Sequence, residues 1–137
     1  MSGLIVGYDG SDHAKAALSA AVDLGKRLGV GVTVAFGFEA NPVGGEALDY
    51  WAALREHGQG LLEDAIAEAK AAGVEAESVL VEEAPAKALS ELARERQAEM
   101  IVLGSAGERP LVGALLGSTP QKLIHLADVP VLVVRAK

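Results

Sequence analysis

Apolar residues along the chain fall into five short runs that alternate with longer segments of helical periodicity. Short apolar runs rich in β-branched residues are typical of buried strands, and they predict strands at 4–8, 31–38, 75–82, 100–104 and 130–135. Apolar residues spaced three or four apart predict an amphipathic helix after each of the first four strands. Gly29 and Gly73 are expected to end the first two helices, and Pro85 to open the third.

The same periodicity predicts which side chains face the core. In the first helix the apolar stripe runs from Ala14 to Leu28, and in the last helix Leu123, Leu126 and Ala127 are expected to point inward. The third strand alternates and is flanked by glutamates, which suits an exposed sheet edge.

Strands that alternate with helices predict parallel strands joined by right-handed crossovers. The expected fold is α/β and Rossmann-like, a single domain over 1–137 with an open five-stranded parallel sheet ordered 3-2-1-4-5 and helices on both faces. In such sheets ligands bind at the carboxyl ends of the strands where the order reverses, here between the first and fourth strands. Asp9 ends the first of these strands and Gly104 ends the fourth.

A glycine-bearing segment follows the fourth strand. Gly107 comes three residues after Gly104, and Gly117 leads into Ser118, Thr119 and a new helix. Backbone amides of such a loop and of a helix N-terminus can bind a phosphate. In the alternative interpretation the glycines only make turns, and Ser118 and Thr119 only cap the helix.

Side chains near this loop have two interpretations each. Asp9 either binds ribose hydroxyls or a divalent ion held by phosphates, or it only forms an Asx turn before the first helix. Arg109 and Lys122 either meet phosphate charge or are solvated. The segment 39–45 is longer than usual for such a connection, and is either a flap over a ligand or an inert surface loop.

Composition narrows the function classes. The net charge of −7 disfavours binding to nucleic acid or acidic membranes, because both depend on neutralising phosphates with Lys and Arg. The absence of cysteine excludes disulfides and thiolate sites. With no apparent signal peptide or membrane-spanning run, we expect a cytoplasmic protein.

His13, His57 and His125 are interpreted as surface or helix-end residues.

Three motifs stand out in the sequence: the opening 5–11 (IVGYDGS), the spacing Gly104-x2-Gly107-x9-Gly117-Ser118, and the closing 129–135 (VPVLVVR). Together they resemble the universal stress protein family, in its ATP-binding branch. The likeness covers essentially the whole chain. It implies an adenine-nucleotide-binding module of stress response or signalling, usually a homodimer, without a well-defined turnover reaction.

The resemblance also implies roles for individual residues. Gly37 would offer its backbone to adenine, and Asp9 and Gly104 would meet the ribose. The side chains packed near the base would be Tyr8 and Phe38. The phosphates would be held by Gly107, Gly117, Ser118 and Thr119. A Mg²⁺ ion would bridge the phosphates to Asp9. The loop departs from many relatives at Ala106, Glu108, Arg109 and Pro110, which bears on affinity and nucleotide preference.

The last strand supplies a physical argument for a homodimer. Its residues 131–134 are all apolar, and a bare apolar edge invites pairing with a second copy about a two-fold axis.

The sequence is also compatible with two other functions. One is a slow Mg²⁺-dependent ATP hydrolase or phosphotransferase that uses Asp9, and the other is an interaction scaffold that binds no nucleotide.

Overall fold

A computed structural model of the chain describes residues 3–38, 47–106 and 118–136. Strands and helices alternate through these ranges. Their bounds are β1 (Leu4–Gly7), α1 (Asp12–Leu28), β2 (Val32–Gly37), α2 (Ala47–Ala71), β3 (Ala76–Val81), α3 (Pro85–Glu95), β4 (Met100–Gly104), α4 (Ser118–Leu126) and β5 (Val131–Val134). The predicted strands therefore lie within a residue or two of their observed positions.

The sheet has the predicted order, β3-β2-β1-β4-β5, and every pairing is parallel. In the central strand, Leu4 pairs with Val32 on one side and with Met100 on the other. Successive residues of a strand point to opposite faces. Leu4 and Val6 accordingly pack with α1 and α2, while Ile5 packs with α3 and α4.

Local signals set the helix ends as expected. The Ser11 side chain accepts a hydrogen bond from the Ala14 amide at 3.2 Å and caps α1. Gly29 and Gly73 follow α1 and α2 with φ of 70° and 83°, the left-handed region in which glycine carries no steric penalty. Pro85 occupies the first turn of α3, where its missing N–H leaves no helical bond unmade.

Two of the predicted inward-facing residues are exposed instead. Leu28 is 52% exposed because it is the last residue of α1, beyond Gly25, the final buried position of that helix. Leu126 is 47% exposed, whereas Leu123 is fully buried. The helix α4 packs mainly against α3 and only slightly against β5, and the buried Leu123 joins that side of the core together with Ala127, the residue after the helix.

The predicted flap at 39–45 lies outside the described residues. No helix in the described ranges is long and apolar enough to cross a membrane.

Two glycines inside α2 have different surroundings. A Cβ on Gly58 would lie 2.5 Å from the Phe36 ring and 2.9 Å from Leu80 Cδ1, so this glycine lets α2 approach the sheet closely. A Cβ on Gly60 would meet nothing within 4 Å.

These surroundings predict opposite effects of two alanine substitutions two residues apart. Gly58→Ala should lower the free energy of unfolding by about 1–3 kcal/mol, because the ring of Phe36 must move. Gly60→Ala should raise it by about 0.5–1 kcal/mol, because alanine loses less backbone entropy in a helix. Urea unfolding of both variants measures the difference, and equal effects would contradict the close packing at Gly58.

Candidate functional site

The predicted site residues in the described ranges gather at the carboxyl edge of the sheet. Tyr8 follows β1 directly, and its amide donates to the Ala35 carbonyl at 2.9 Å. Phe38 follows β2, with its amide bonded to the Val81 carbonyl at 3.0 Å. Gly104 ends β4, the strand on the other side of β1. The reversal of strand order therefore lies between Asp9 and Gly104, as the chain order predicts.

Asp9 shapes the turn that enters α1. One of its carboxylate oxygens, Oδ1, accepts a hydrogen bond from the Ser11 amide at 3.0 Å, and Gly10 between them has a φ of 81°. This geometry is the Asx turn that was one of the two interpretations of Asp9. It leaves a role in binding open, since an ionised carboxylate has two oxygens and about four acceptor positions.

Gly104 and Gly37 are required by packing between elements. A Cβ on Gly104 would lie 2.6 Å from His13 Cβ and 2.7 Å from the His13 carbonyl carbon. A Cβ on Gly37 would lie 3.0 Å from Pro85 Cα and 3.1 Å from the Glu83 carbonyl oxygen. Both glycines end strands, and they allow α1 and α3 to pack closely against the carboxyl edge of the sheet.

His13 holds three segments together, which the sequence interpretation missed. It lies in the first turn of α1, half-buried, and its Nδ1 accepts a hydrogen bond from the Ala136 amide at 2.9 Å. The Ser105 hydroxyl lies 3.2 Å from the same nitrogen. These partners are 123 and 92 residues away along the chain, so no local pattern could have indicated them.

Aromatic side chains cluster where β2 ends. The rings of Phe36 and Phe38 stack with their centroids 6.0 Å apart, and Phe38 lies 6.5 Å from the ring of Trp51 on α2. The Arg55 guanidinium carbon lies 5.4 Å from the centre of the Trp51 ring. Since Trp51 is the one tryptophan of the chain, its fluorescence reports on this side of the site.

Tyr8 is a buried phenol beside acidic side chains. Its ring belongs to the core between the sheet and the helices α1 and α2. Burial raises the pKa of Tyr8 above its ordinary value, and the negative charges of Glu68, Asp64 and Asp9 raise it further.

The phosphate side of the predicted site is described only in part. Gly107, Arg109 and Gly117 lie outside the described residues, as do Glu108 and Pro110. Ser118 and Thr119 are the first two residues of α4, the former exposed and the latter half-buried. A helix therefore begins where the predicted phosphate loop ends, and its first amides have no partners within the helix.

The part of the chain that the structure describes holds no cluster of metal ligands. In 3–38, 47–106 and 118–136, no three or more His, Asp or Glu side chains are grouped closely enough to hold a metal ion. Oxygen ligands from phosphates are typical of bound Mg²⁺, so Mg²⁺ at Asp9 stays a prediction tied to the nucleotide.

A separate cavity of about 760 Å³ opens at the amino ends of β1, β2 and β3. Lys70, Glu75 and Arg96 are among its lining residues. The Arg96 guanidinium pairs with Glu77 and donates to the Thr33 hydroxyl at 3.4 Å. This cavity lies at the other end of the strands from Asp9 and Gly104, and of the two cationic side chains that line it, Arg96 already has a carboxylate partner.

Comparison with known proteins gives one consistent match. The sequence profile described as the universal stress protein family matches residues 2–135. A universal stress protein from Thermus aquaticus is 35% identical over an alignment of 145 positions that covers 96% of this chain and 97% of the relative.

Two similar solved structures contain nucleotides. A universal stress protein in complex with cAMP is 30% identical, with a TM-score of 0.74, and the match covers 99% of this chain and 98% of the other. The universal stress protein from Archaeoglobus fulgidus in complex with dAMP is 22% identical, with a TM-score of 0.75 and 98% of each chain covered. The second likeness shows the fold alone.

The environment of Tyr8 predicts a loss of stability at alkaline pH. The raised pKa of Tyr8 means that the folded state favours the neutral phenol more than the unfolded state does. The contribution of the neutral phenol to the free energy of unfolding is therefore fully present below about pH 10 and is lost as the pH rises through the folded-state pKa. Tyr8→Phe should therefore flatten the fall in unfolding free energy above pH 10. Urea unfolding at pH 9 and 11 measures the slope, with Tyr50→Phe as the control because Tyr50 is 56% exposed. An equally steep fall in Tyr8→Phe and the wild type would contradict the assignment.

Proposed function

We propose that this chain, which belongs to the universal stress protein family, binds an adenine nucleotide at the carboxyl ends of β1, β2 and β4. The observation that carries the proposal is the position of Asp9, just after β1, and Gly104, at the end of the neighbouring strand β4, where the strand order reverses. Ligands of open α/β sheets bind at this point. A family member 30% identical to this chain has been crystallised with cAMP, which supports the choice of ligand.

The residues suit a nucleotide group by group. The base would lie by the backbone of Gly37 and by Phe38, whose ring is buried against its aromatic neighbours. Asp9 would accept hydrogen bonds from ribose hydroxyls beside Gly104, using acceptor positions beyond the one that Ser11 occupies. The phosphates would meet the amides of Gly107 and Gly117 and those at the start of α4, including Ser118 and Thr119. Anions are favoured at a helix N-terminus by its free amides and its dipole.

Within this class we propose ATP as the ligand, with Mg²⁺ between its phosphates and Asp9, and a role in stress response or signalling. The glycine spacing in this chain is the basis for the triphosphate. The nucleotides in the two similar structures carry a single phosphate. Arg109 would add positive charge and Glu108 negative charge near the phosphates, so the balance between ATP and AMP depends on this part of the loop.

Calorimetric titration of the purified protein with AMP, and with ATP in the presence and absence of Mg²⁺, tests the proposal. The protein is first denatured and refolded so that nucleotide retained from the expression host is removed and identified. We expect saturable binding of at least one adenine nucleotide. Asp9→Ala should weaken it about tenfold or more, because hydrogen bonds to a charged acceptor are lost.

Asp12→Ala is the matched control. Asp12 lies three residues further on, exposed in the first turn of α1, so its removal changes the net charge equally and should leave affinity unchanged. Thermal unfolding of both variants separates loss of binding from loss of the turn. No binding of AMP or ATP by the wild type would overturn the proposal.

We also propose a homodimer that pairs through β5. This strand is one edge of the sheet, and its Leu132 is 38% exposed although its neighbours Val131 and Val133 are partly buried against α3 and α4. Ile124 on the adjacent helix α4 is 60% exposed. An apolar edge strand flanked by exposed apolar side chains is stabilised when a second copy covers it.

Leu132→Asp should convert the dimer to a monomer, because it places two like charges in the interface about the two-fold axis. Leu28→Asp is the control, since Leu28 is 52% exposed at the far end of α1 and lies outside the proposed interface. Analytical ultracentrifugation measures both variants and the wild type. A monomeric wild type, or a Leu132→Asp variant that remains dimeric, would contradict this interface.

A further inference from the structure

We propose that His13 is a positioning residue for the nucleotide site, and that its Nδ1 fixes the start of the glycine-bearing loop. The inference rests on the proposed function, because the loop that follows Ser105 is the one expected to hold the phosphates. His13 acts through Ser105 and Ala136 and has no assigned contact with the nucleotide.

The hydrogen bonds define the state of the imidazole ring. The Ala136 amide, 2.9 Å from Nδ1, can only donate. Nδ1 must therefore be the unprotonated nitrogen, and the ring proton of the neutral imidazole lies on Nε2. The Ser105 hydroxyl, 3.2 Å from Nδ1, can then only donate, and it shares the single lone pair of that nitrogen with the Ala136 amide as the longer of the two contacts. One acceptor thus binds both the residue after β4 and a residue after β5.

Burial and hydrogen bonds of both its amide and its hydroxyl fix the position of Ser105. Only 3% of the residue is exposed, and its amide donates to the Val134 carbonyl at 2.8 Å, which extends the pairing of β4 with β5 by one residue. Its hydroxyl has His13 as its partner. Without that acceptor, a buried hydroxyl loses its hydrogen bond, which carries a desolvation penalty.

The first turn of α1 completes the connection. Gly104 packs against the backbone of His13, and Ser11, two residues before His13, both caps α1 and donates its amide to Asp9. His13 therefore connects the turn that holds Asp9 to the residue from which the loop departs. These are the two sides of the strand reversal. Binding groups keep their geometry when neighbouring hydrogen bonds lock them in place.

Three variants test the role of the acceptor. His13→Ala removes it, whereas His13→Asn retains one, because asparagine Oδ1 is attached through Cβ and Cγ as Nδ1 is. We expect the Kd for AMP or ATP, whichever the wild type binds, to rise about five- to tenfold in His13→Ala and to stay within about twofold of the wild type in His13→Asn. His125→Ala, which removes an exposed histidine on α4, should change nothing.

Ser105→Ala tests the connection from its other end without altering α1. Its Kd should also rise, and the double variant His13→Ala/Ser105→Ala should bind no more weakly than His13→Ala, because the hydrogen bond between Ser105 and His13 is already absent from that variant. Hydrogen exchange of the Ala136 amide supplies a readout without nucleotide. It should be faster in His13→Ala and close to the wild type in His13→Asn.

The outcomes separate the two proposals. A wild type that binds no adenine nucleotide overturns the proposed function. A wild type that binds, with unchanged affinity in His13→Ala and Ser105→Ala, overturns the positioning role alone. Failure of His13→Asn to restore the affinity of a folded protein would also overturn it, because the effect would then come from the imidazole and not from the acceptor.

Discussion

The close contact between the first turn of α1 and the end of β4 determines the geometry of the carboxyl edge. Gly104 has no side chain, so the backbone of His13 can lie directly against the strand. This contact sets where α1 begins relative to the sheet, and with it the turn of Asp9 and Ser11. A larger residue at 104 would separate the two sides of the strand reversal on which the proposed site depends.

Periodicity was sufficient to predict the fold. Alternating strands and helices admit few topologies once parallel pairing and right-handed crossovers are required, and the observed order 3-2-1-4-5 is one of them. The errors lie at Leu28 and Leu126, where amphipathic periodicity continues although the neighbouring layer has ended. A helical stripe describes the helix alone and does not say how wide the surface is against which it packs.

The position of the site could be predicted from the sequence, but most of the contacts that hold its residues in place could not. Asp9 and Gly104 could be placed because strand ends meet at a common edge of the sheet. Other contacts could not be predicted, because each joins residues distant in sequence. These are the packing of helices on Gly104 and Gly37, the hydrogen bonds of His13 to Ser105 and Ala136, and the contact of Trp51 with Phe38. A backbone amide as partner, as at Ala136, has no sequence signature at all.

The proposed site lies at the carboxyl edge of the sheet, and an adenine nucleotide should bind there and not in the cavity at the amino ends of the strands. An NMR titration of ¹⁵N-labelled protein with AMP and ATP distinguishes the two directly. Binding at the carboxyl edge should shift the amide resonances of Asp9, Phe38, Gly104 and Ser105 most. Shifts concentrated at Gly31, Gly73 and Glu75, which line the opposite cavity, would contradict it.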